Sequence, residues 1–353
     1  GGEGAVPYIH DFTLDLGAAG DAAALVAQAA AMEAAIAAVL TDEAENDGFN
    51  ALMTTAGLAH DSVVWLRAWF RYLRQTGLGY SIQTIIAALS KAPDAARALV
   101  RLFVALHDPK NASAADADTA CANFDAALVR VTAIDDDRIL RLFRSLIEAM
   151  LRTNVFADGG REALAFKLDS AKVPGLPKPL PWREIFVYSP RVEGIHLRAG
   201  PVARGGLRWS DRRDDFRTEV LGLMKAQRVK NAVIVPTGAK GGFYPKHLPD
   251  PSVDRDAWAA EGKASYQVFI RALLSITDNL DGDTVLPPAD VRRLDGDDPY
   301  FVVAADKGTA TYSYTANALA EERDFWLGDA FASGGSNGYD HKAMGITARG
   351  AWL

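Results

Sequence analysis

Apolar residues recur at helical spacing from about Ala22 to Phe156, against a background rich in Ala, Leu and Arg, and this pattern predicts an all-helical half. The stripe Ile139, Leu142, Phe143, Leu146, Ile147, Met150 and Leu151 follows i, i+3, i+4 spacing, and Asp135, Asp136 and Asp137 before it supply a cap and first-turn negative charge. A second helix is expected from Asp61 to Gln75, with Leu66, Trp69, Phe70 and Leu73 turned inward and Gly77 as its stop. Ala92-Pro93-Asp94 opens a further one, Ala95 to His107. The Ala-rich stretch Ala22 to Leu40 reads as helix, with low-complexity filler as the alternative, because Ala is both the best helix former and a poor core former.

Between Val173 and Trp182 four prolines forbid regular structure, and residues 166–182 are read as a linker. It divides a helical domain, residues 1–165, from a second domain, residues 183–353. Beyond it the period changes. Glu184 to Tyr188 is a strand, with Gly194 to Arg198 as its neighbour, and Asp211 to Val229 an amphipathic helix carrying Phe216, Val220, Leu223 and Met224. Asn231 to Val235 is a buried strand, Tyr266 to Leu280 helix, Tyr300 to Ala304 strand and Tyr312 to Ala332 helix. Strands alternating with helices imply an α/β layer structure, so the expected fold class is an all-helical N-terminal domain followed by an α/β domain.

Composition narrows the function. The 353 residues carry 38 Lys and Arg against 45 Asp and Glu, a net charge of −7, which argues against a nucleic-acid binder. Cys121 is the single cysteine, so internal disulfides and Cys-rich zinc sites are excluded, and a reducing compartment is the default. No apolar run approaches the ~20 residues that span a bilayer, and Gly1-Gly2-Glu3-Gly4 does not open a signal peptide. A cytoplasmic protein is expected. The histidines (His10, His60, His107, His196, His247, His341) are scattered rather than set at metal-ligand spacing; His341, in Tyr339-Asp340-His341-Lys342, is the one to watch.

Three clusters could carry chemistry. Arg204-Gly205-Gly206-Leu207-Arg208 sets two cations around a glycine pair, where backbone can approach a ligand and Arg offers a fork to a carboxylate; a tight hairpin with two solvated arginines is the alternative. In the second, the apolar run to Val235 ends at Pro236 and the chain turns through Gly238-Ala239-Lys240-Gly241-Gly242. Ligands of α/β sheets sit beyond the carboxyl ends of strands, and Lys240, partly desolvated there, is a usable base near neutral pH; a surface lysine on a turn is the alternative. In the third, Phe301-Val302-Val303-Ala304-Ala305 ends at Asp306, able to relay a proton or to cap the following helix. Two cationic clusters and one acidic suit an anionic substrate that undergoes proton transfer.

In order and setting these clusters resemble the substrate domain of the amino-acid dehydrogenase superfamily. The wording is closer still to the large bacterial NAD-specific glutamate dehydrogenases. Tyr188-Ser189-Pro190-Arg191-Val192-Glu193-Gly194, Gly205 to Arg212, Phe216 to Lys225, Lys230 to Phe243, and Gly338 to Lys342 through Met344 to Trp352 all resemble that group. Glu45-Asn46-Asp47-Gly48-Phe49-Asn50 and Tyr72-Leu73-Arg74-Gln75 resemble the helical region that precedes its catalytic core.

The resemblance implies that Lys240 is the base activating water against an iminium carbon and that Asp306 shuttles protons to and from the amine. It implies that Arg204, Gly205, Gly206 and Arg208 hold substrate carboxylates together with Lys230, for which Lys225 is the competitor. Arg204 stands where small glutamate dehydrogenases carry lysine, which keeps the charge but makes it a planar fork, and favours glutamate over apolar amino acids. The implied reaction is oxidative deamination of glutamate to 2-oxoglutarate and ammonia with NAD, in a homo-oligomer. No Gly-x-Gly-x-x-Gly follows a strand, and Gly334-Gly335-Ser336-Asn337-Gly338 has the wrong spacing, so the chain is expected to be a fragment whose NAD is bound mainly by a domain beyond Leu353 and which is inactive by itself. A rival reading is a helical scaffold or regulatory module that binds a dicarboxylate or mediates assembly. Tyr314, beside the third cluster, is a residue that could disturb the site.

Overall fold

The computed structural model describes residues 26, 28–230, 235–332 and 345–352. The chain forms two compact units, residues 1–44 and residues 45–353. In the first, helix α1 (Ala29–Leu40) occupies the C-terminal part of the Ala-rich stretch; residues 22–25 and 27 of the expected helix lie outside the described residues.

The second unit opens on short helical turns, Gly48–Ala51 and Leu52–Thr55, and five longer helices follow. Helix α2 (His60–Gln75) buries Val63, Leu66, Trp69, Phe70 and Leu73. It stops where Gly77 turns left-handed at φ 93°, and Gly77 and Leu78 return N–H bonds to Arg74 and Leu73. Helix α3 (Ile82–Lys91) is capped by Ser81, α4 (Pro93–His107) opens on its proline, and α5 (Ala114–Leu128) is capped by Ser113. Helix α6 (Ile134–Ala149) carries Asp135, Asp136 and Asp137 in its first turn. Met150 and Leu151, expected on its stripe, belong instead to strand β1 (Met150–Thr153): both are buried in either arrangement, so the apolar spacing did not mark the change.

The main sheet runs β1–β2–β3–β4–β7–β6–β10. Strands β2 (Leu164–Leu168), β3 (Arg183–Tyr188) and β4 (Val192–Arg198) are antiparallel, and β4 pairs antiparallel with β7 (Thr237–Pro245). Short β5 (Ala203–Arg204) and then β6 (Gly206–Trp209) run parallel to β7, and two-residue β10 (Ala304–Ala305) runs parallel to β6. The division expected at residue 165 thus falls inside β2, and β1 lies before it. Residues 173–182, with the prolines, form no helix or strand, as expected.

The largest departure is the glycine segment, which is extended strand rather than a loop. Its glycines make room for close neighbours. A Cβ at Gly238 would lie 2.4 Å from the backbone of Gln227, and one at Gly242 2.7 Å from Val220, both on helix α7 (Phe216–Lys230) packed across β7. The strand expected over 231–235 lies, apart from Val235, outside the described residues, as do residues 334–338, His341 and the motif over 338–342.

Helix α8 (Arg255–Leu274) starts earlier and ends earlier than expected, because Asp254 caps it and Ser275 closes it. After it come β8 (Asn279–Asp281) and β9 (Thr284–Leu286), a hairpin turning at Gly282. The expected strand 300–304 shrinks to β10, and the expected helix 312–332 to α9 (Ser313–Glu321), broken where Asp324 turns left-handed at φ 49°. Helices cover both faces of the sheet. On one, Tyr72 of α2 meets Phe186 of β3 edge-on at 5.6 Å, and α7 lies on β7. On the other, Phe243 of β7 packs against Tyr266 and Phe269 of α8 at 5.7 and 5.9 Å, in a core continued by Leu207, Phe301, Leu319 and Phe331.

Candidate active site

Register brings the chemistry together. Lys240 and Gly242 alternate onto the same face of β7, the face under α7. Arg208 of β6 stands opposite Gly242, and Ala305 of β10 stands opposite Leu207, so the residue after it, Asp306, arrives beside Arg208. The Lys240 ammonium contacts Asp306 Oδ2, and Arg208 Nε donates to the same oxygen at 3.2 Å. Arg208 Nη1 also reaches Glu219 Oε1 of α7 at 3.1 Å, and Ser210 Oγ donates to Glu219 Oε2 at 2.7 Å. Two cations and two carboxylates therefore balance. The Lys240 side chain is 4% exposed and that of Asp306 19%, so the pair opens to solvent at its acidic end.

Asp306 is held by its own turn. Its backbone N–H donates to Thr309 Oγ1 at 3.0 Å, and that hydroxyl donates to Leu207 O at 2.7 Å. Gly308 closes the turn at φ 87° against Trp209. Burial by itself would raise the Asp306 carboxyl, but hydrogen bonds from Lys240, the Lys307 backbone and Arg208 outweigh it and hold the group below the ordinary carboxylate range.

The glycine pair serves the same close packing. A Cβ on Gly205 would fall 1.5 Å from Ala239 O, and one on Gly206 2.7 Å from Ala305 O and 3.1 Å from Asp306 Cβ. Arg204 lies half-buried on β5 opposite Gly238 and, among the described residues, its side chain has no hydrogen-bond or ion-pair partner. Lys225 and Lys230 are exposed on α7, and their side chains likewise make no described polar contact. Tyr314 is 51% exposed on α9. Structure thus joins Lys240, Asp306 and Arg208 directly, with Gly206 beneath Asp306, while Arg204, Lys225 and Lys230 are not in contact with that group.

Residues 123–353 match the family model of the bacterial NAD-glutamate dehydrogenase catalytic domain. The chain belongs to that family. Residues 44–109 match helical motif 3 of glutamate dehydrogenase. Among similar proteins, the NAD-specific glutamate dehydrogenase of Mycobacterium tuberculosis is 58% identical over 332 residues, covering 90% of this chain and 20% of the relative. That of Pseudomonas aeruginosa is 54% identical over 324 residues, 89% of this chain and 20% of the relative. That of Neurospora crassa is 26% identical over 226 residues, 60% of this chain and 20% of the relative. The chain therefore spans about a fifth of the length of these relatives.

The region matching the bacterial NAD-glutamate dehydrogenase catalytic domain takes in every strand of the sheet, β1 included. Within it the sequence reading missed Glu219 and Ser210, which fasten Arg208. Their signal was present but weak: Glu219 falls inside the amphipathic helix expected over Asp211 to Val229, where a charged residue reads as part of the polar face and attracts no further reading.

Proposed function

We propose that this chain supplies the substrate-binding and proton-handling part of an NAD-dependent glutamate dehydrogenase of the amino-acid dehydrogenase type, which deaminates L-glutamate oxidatively to 2-oxoglutarate and ammonia in the full-length protein. One observation carries the reading: an enclosed lysine ammonium bonded to a carboxylate that opens to solvent, brought together from β7 and from the end of β10, the parallel strands on either side of β6, in a chain of this family. NAD, when bound, would supply the acceptor for the substrate α-hydrogen leaving as hydride. No strand among the described residues runs into a Gly-x-Gly-x-x-Gly turn, so none of them is assigned to the nucleotide, and a separate binding region in the longer protein is part of the proposal.

The work of these residues lies in proton transfer around the iminium. Lys240 first gives its ammonium proton to Asp306 Oδ2; the neutral amine then takes a proton from the water that attacks the iminium carbon, and Asp306 delivers the proton it received to the departing amine. Arg208, already shared between Asp306 and Glu219, acts mainly by orienting Asp306. Arg204, without a carboxylate partner among the described residues, is the cation best able to take a substrate carboxylate, and Lys230 or Lys225 is assigned the other. Gly205 and Gly206 keep the backbone of this region close and narrow. A cytoplasmic, homo-oligomeric enzyme completes the reading, with the free thiol of Cys121 in keeping with a reducing compartment.

In the full-length protein, Lys240→Ala is expected to lower kcat for glutamate oxidation by about 10³-fold, in the range set by loss of a general base, with the fold preserved by circular dichroism. Near-normal turnover would remove Lys240 from its role. Calorimetric titration of the chain is expected to detect glutamate and 2-oxoglutarate and not leucine, with Arg204→Ala weakening the dicarboxylates by roughly 10-fold or more, the usual worth of a charge-assisted hydrogen bond.

A further inference from the structure

Asp306 reaches Lys240 on a segment with little regular structure of its own. Residues 287–303 form no helix and, apart from an isolated bridge at Val303, no strand, and the strand that delivers Asp306 has only Ala304 and Ala305. Two residues of pairing specify register weakly, and a long irregular stretch inside a folded unit needs some other tether.

The tether is a buried ionic chain on the strands next to the site. Asp298 takes a fork from Arg198, its Oδ1 accepting from Nη1 at 2.9 Å and its Oδ2 bonded to Nη2, and it also accepts from Lys167 Nζ at 2.7 Å. Lys167 continues to Asp295 at 2.5 Å, Asp295 to Arg152 at 2.6 Å, and Arg152 to Asp278 through two bonds of 2.9 Å. Asp278 closes the circuit by accepting the Asp298 backbone N–H at 2.7 Å. Three cations and three carboxylates, all nearly or fully buried, balance one another. Arg198 does more than pair: the same Nη1 donates to Tyr300 O at 2.9 Å, and Phe301 then packs against His196 at 4.6 Å between ring centres, the rings tilted by 53°. From Tyr300 the chain runs to Ala304, which donates to Gly205 O at 3.0 Å.

Arg198 stands opposite Ala239 on β4, and its neighbour Leu197 stands opposite Lys240. The strand pair that carries Lys240 therefore also grips the segment that carries Asp306. We infer that Arg198, through Asp298 and the Tyr300 carbonyl, is a positioning residue that sets the register at which Asp306 meets Lys240. This rests on the proposed function for its kinetic consequence, but its geometric consequence stands apart from it.

The test uses charge-conserving changes, so that no buried partner is left unpaired. Arg198→Lys keeps the cation and loses the planar fork; Asp298→Glu keeps the anion and lengthens it, and serves if the first variant does not fold. In the full-length protein each is expected to lower kcat for glutamate oxidation by about 10- to 100-fold, the cost of a displacement near 1 Å, with KM for glutamate within about threefold. As the one charge-removing control, Asp295→Asn, in the middle of the ionic chain and bonded to neither Arg198 nor Asp298, is expected to lower the unfolding midpoint while leaving kcat within about twofold. A crystal structure of the Arg198→Lys chain, or of the Asp298→Glu chain, is expected to show Lys240 Nζ and Asp306 more than 4 Å apart. Retention of the Lys240–Asp306 contact there would overturn the inference whatever the activity. So would kcat falling alike in all three variants. If the unaltered full-length protein fails to oxidise glutamate, it is the proposed function that falls, and the crystallographic outcome still decides the positioning role.

Discussion

His196 is a base buried without hydrogen-bond partners. It is 1% exposed, faces Phe301, and neither ring nitrogen has a partner among the described residues. Burial, reinforced by the Arg198 charge, pushes it down to about 3, and burial pushes His107 of α4 down to about 4. In the unfolded chain both bind a proton below about 6.5. Between that value and the folded values the unfolded state therefore holds more protons, so stability falls as the solution is acidified from pH 7 to pH 4, by up to about 1.4 kcal/mol per pH unit for each histidine. The Asp298 carboxyl, held down at about 2 by Arg198 and Lys167 against its burial, adds a loss only below about pH 4. Urea unfolding at pH 7.5, 6, 5 and 4.5 should show a steady fall in midpoint, and His196→Leu should roughly halve its slope. An unchanged slope in that variant would show that another group takes up the protons. The sequence reading marked His341, which lies outside the described residues, and passed over His196, which alternation along β4 groups with Arg198 as if on a polar face, whereas all seven residues of the strand are buried.

Between elements, glycine decides how closely α7 and β7 approach. Gly242→Ala drives its Cβ to 2.7 Å from Val220 Cγ2, a side-chain atom rather than backbone, so the clash can be relieved from the other side. We expect Gly242→Ala to cost about 1–3 kcal/mol as overpacking, and Val220→Ala to recover part of that cost in the double variant, a coupling of at least about 0.5 kcal/mol in chemical denaturation. Strict additivity would mean that the two residues do not touch. The same glycines explain what was legible. Helices α2, α4 and α6 carry apolar stripes, with the Gly77 stop after α2, the opening proline of α4 and the first-turn aspartates of α6, and they emerged close to their observed bounds, although none has a side-chain N-cap and the aspartates before the α6 stripe supply charge rather than the expected cap. Gly238, Gly241 and Gly242 read as a turn because glycine signals a bend and a close approach equally well, and only the neighbouring helix tells them apart. Lys240 and Asp306 were singled out from strand ends, and their contact follows from a parallel register between β7, β6 and β10 that local pattern does not specify. Short β10, inside an irregular segment tied by distant charges, had no period to read.

At the scale of the molecule, the helical region and the sheet share their burial. Arg71 of α2 holds Glu193 of β4 through bonds of 2.9 and 3.0 Å and reaches Asp214 at 3.0 Å. Lys246 joins Glu193 to Glu45, and Arg67 forks onto Asp47. The sequence set the helical domain apart at the proline-rich segment and the change of period, and took no account of Arg67 and Arg71; in the structure both are buried. Removing one partner from such a network leaves the other charge buried and uncompensated, which typically costs 3–5 kcal/mol, whereas an exposed pair is worth about 0–1 kcal/mol. Arg71→Met is thus expected to lower the unfolding free energy by about 3 kcal/mol or more, and Arg144→Met, which breaks the more exposed contacts with Asp125 and Glu148, by about 1 kcal/mol or less. Tryptophans report from both regions, Trp65 and Trp69 in α2 and Trp209 and Trp258 near the sheet, so fluorescence can be followed alongside circular dichroism. If residues 45–353 unfold as one cooperative body, the two signals fall together in the unaltered chain and shift together in Arg71→Met. Helical signal lost in a separate, earlier step would mean that the helices are an appendage after all, and that Glu193 is kept in place by Lys246 without them.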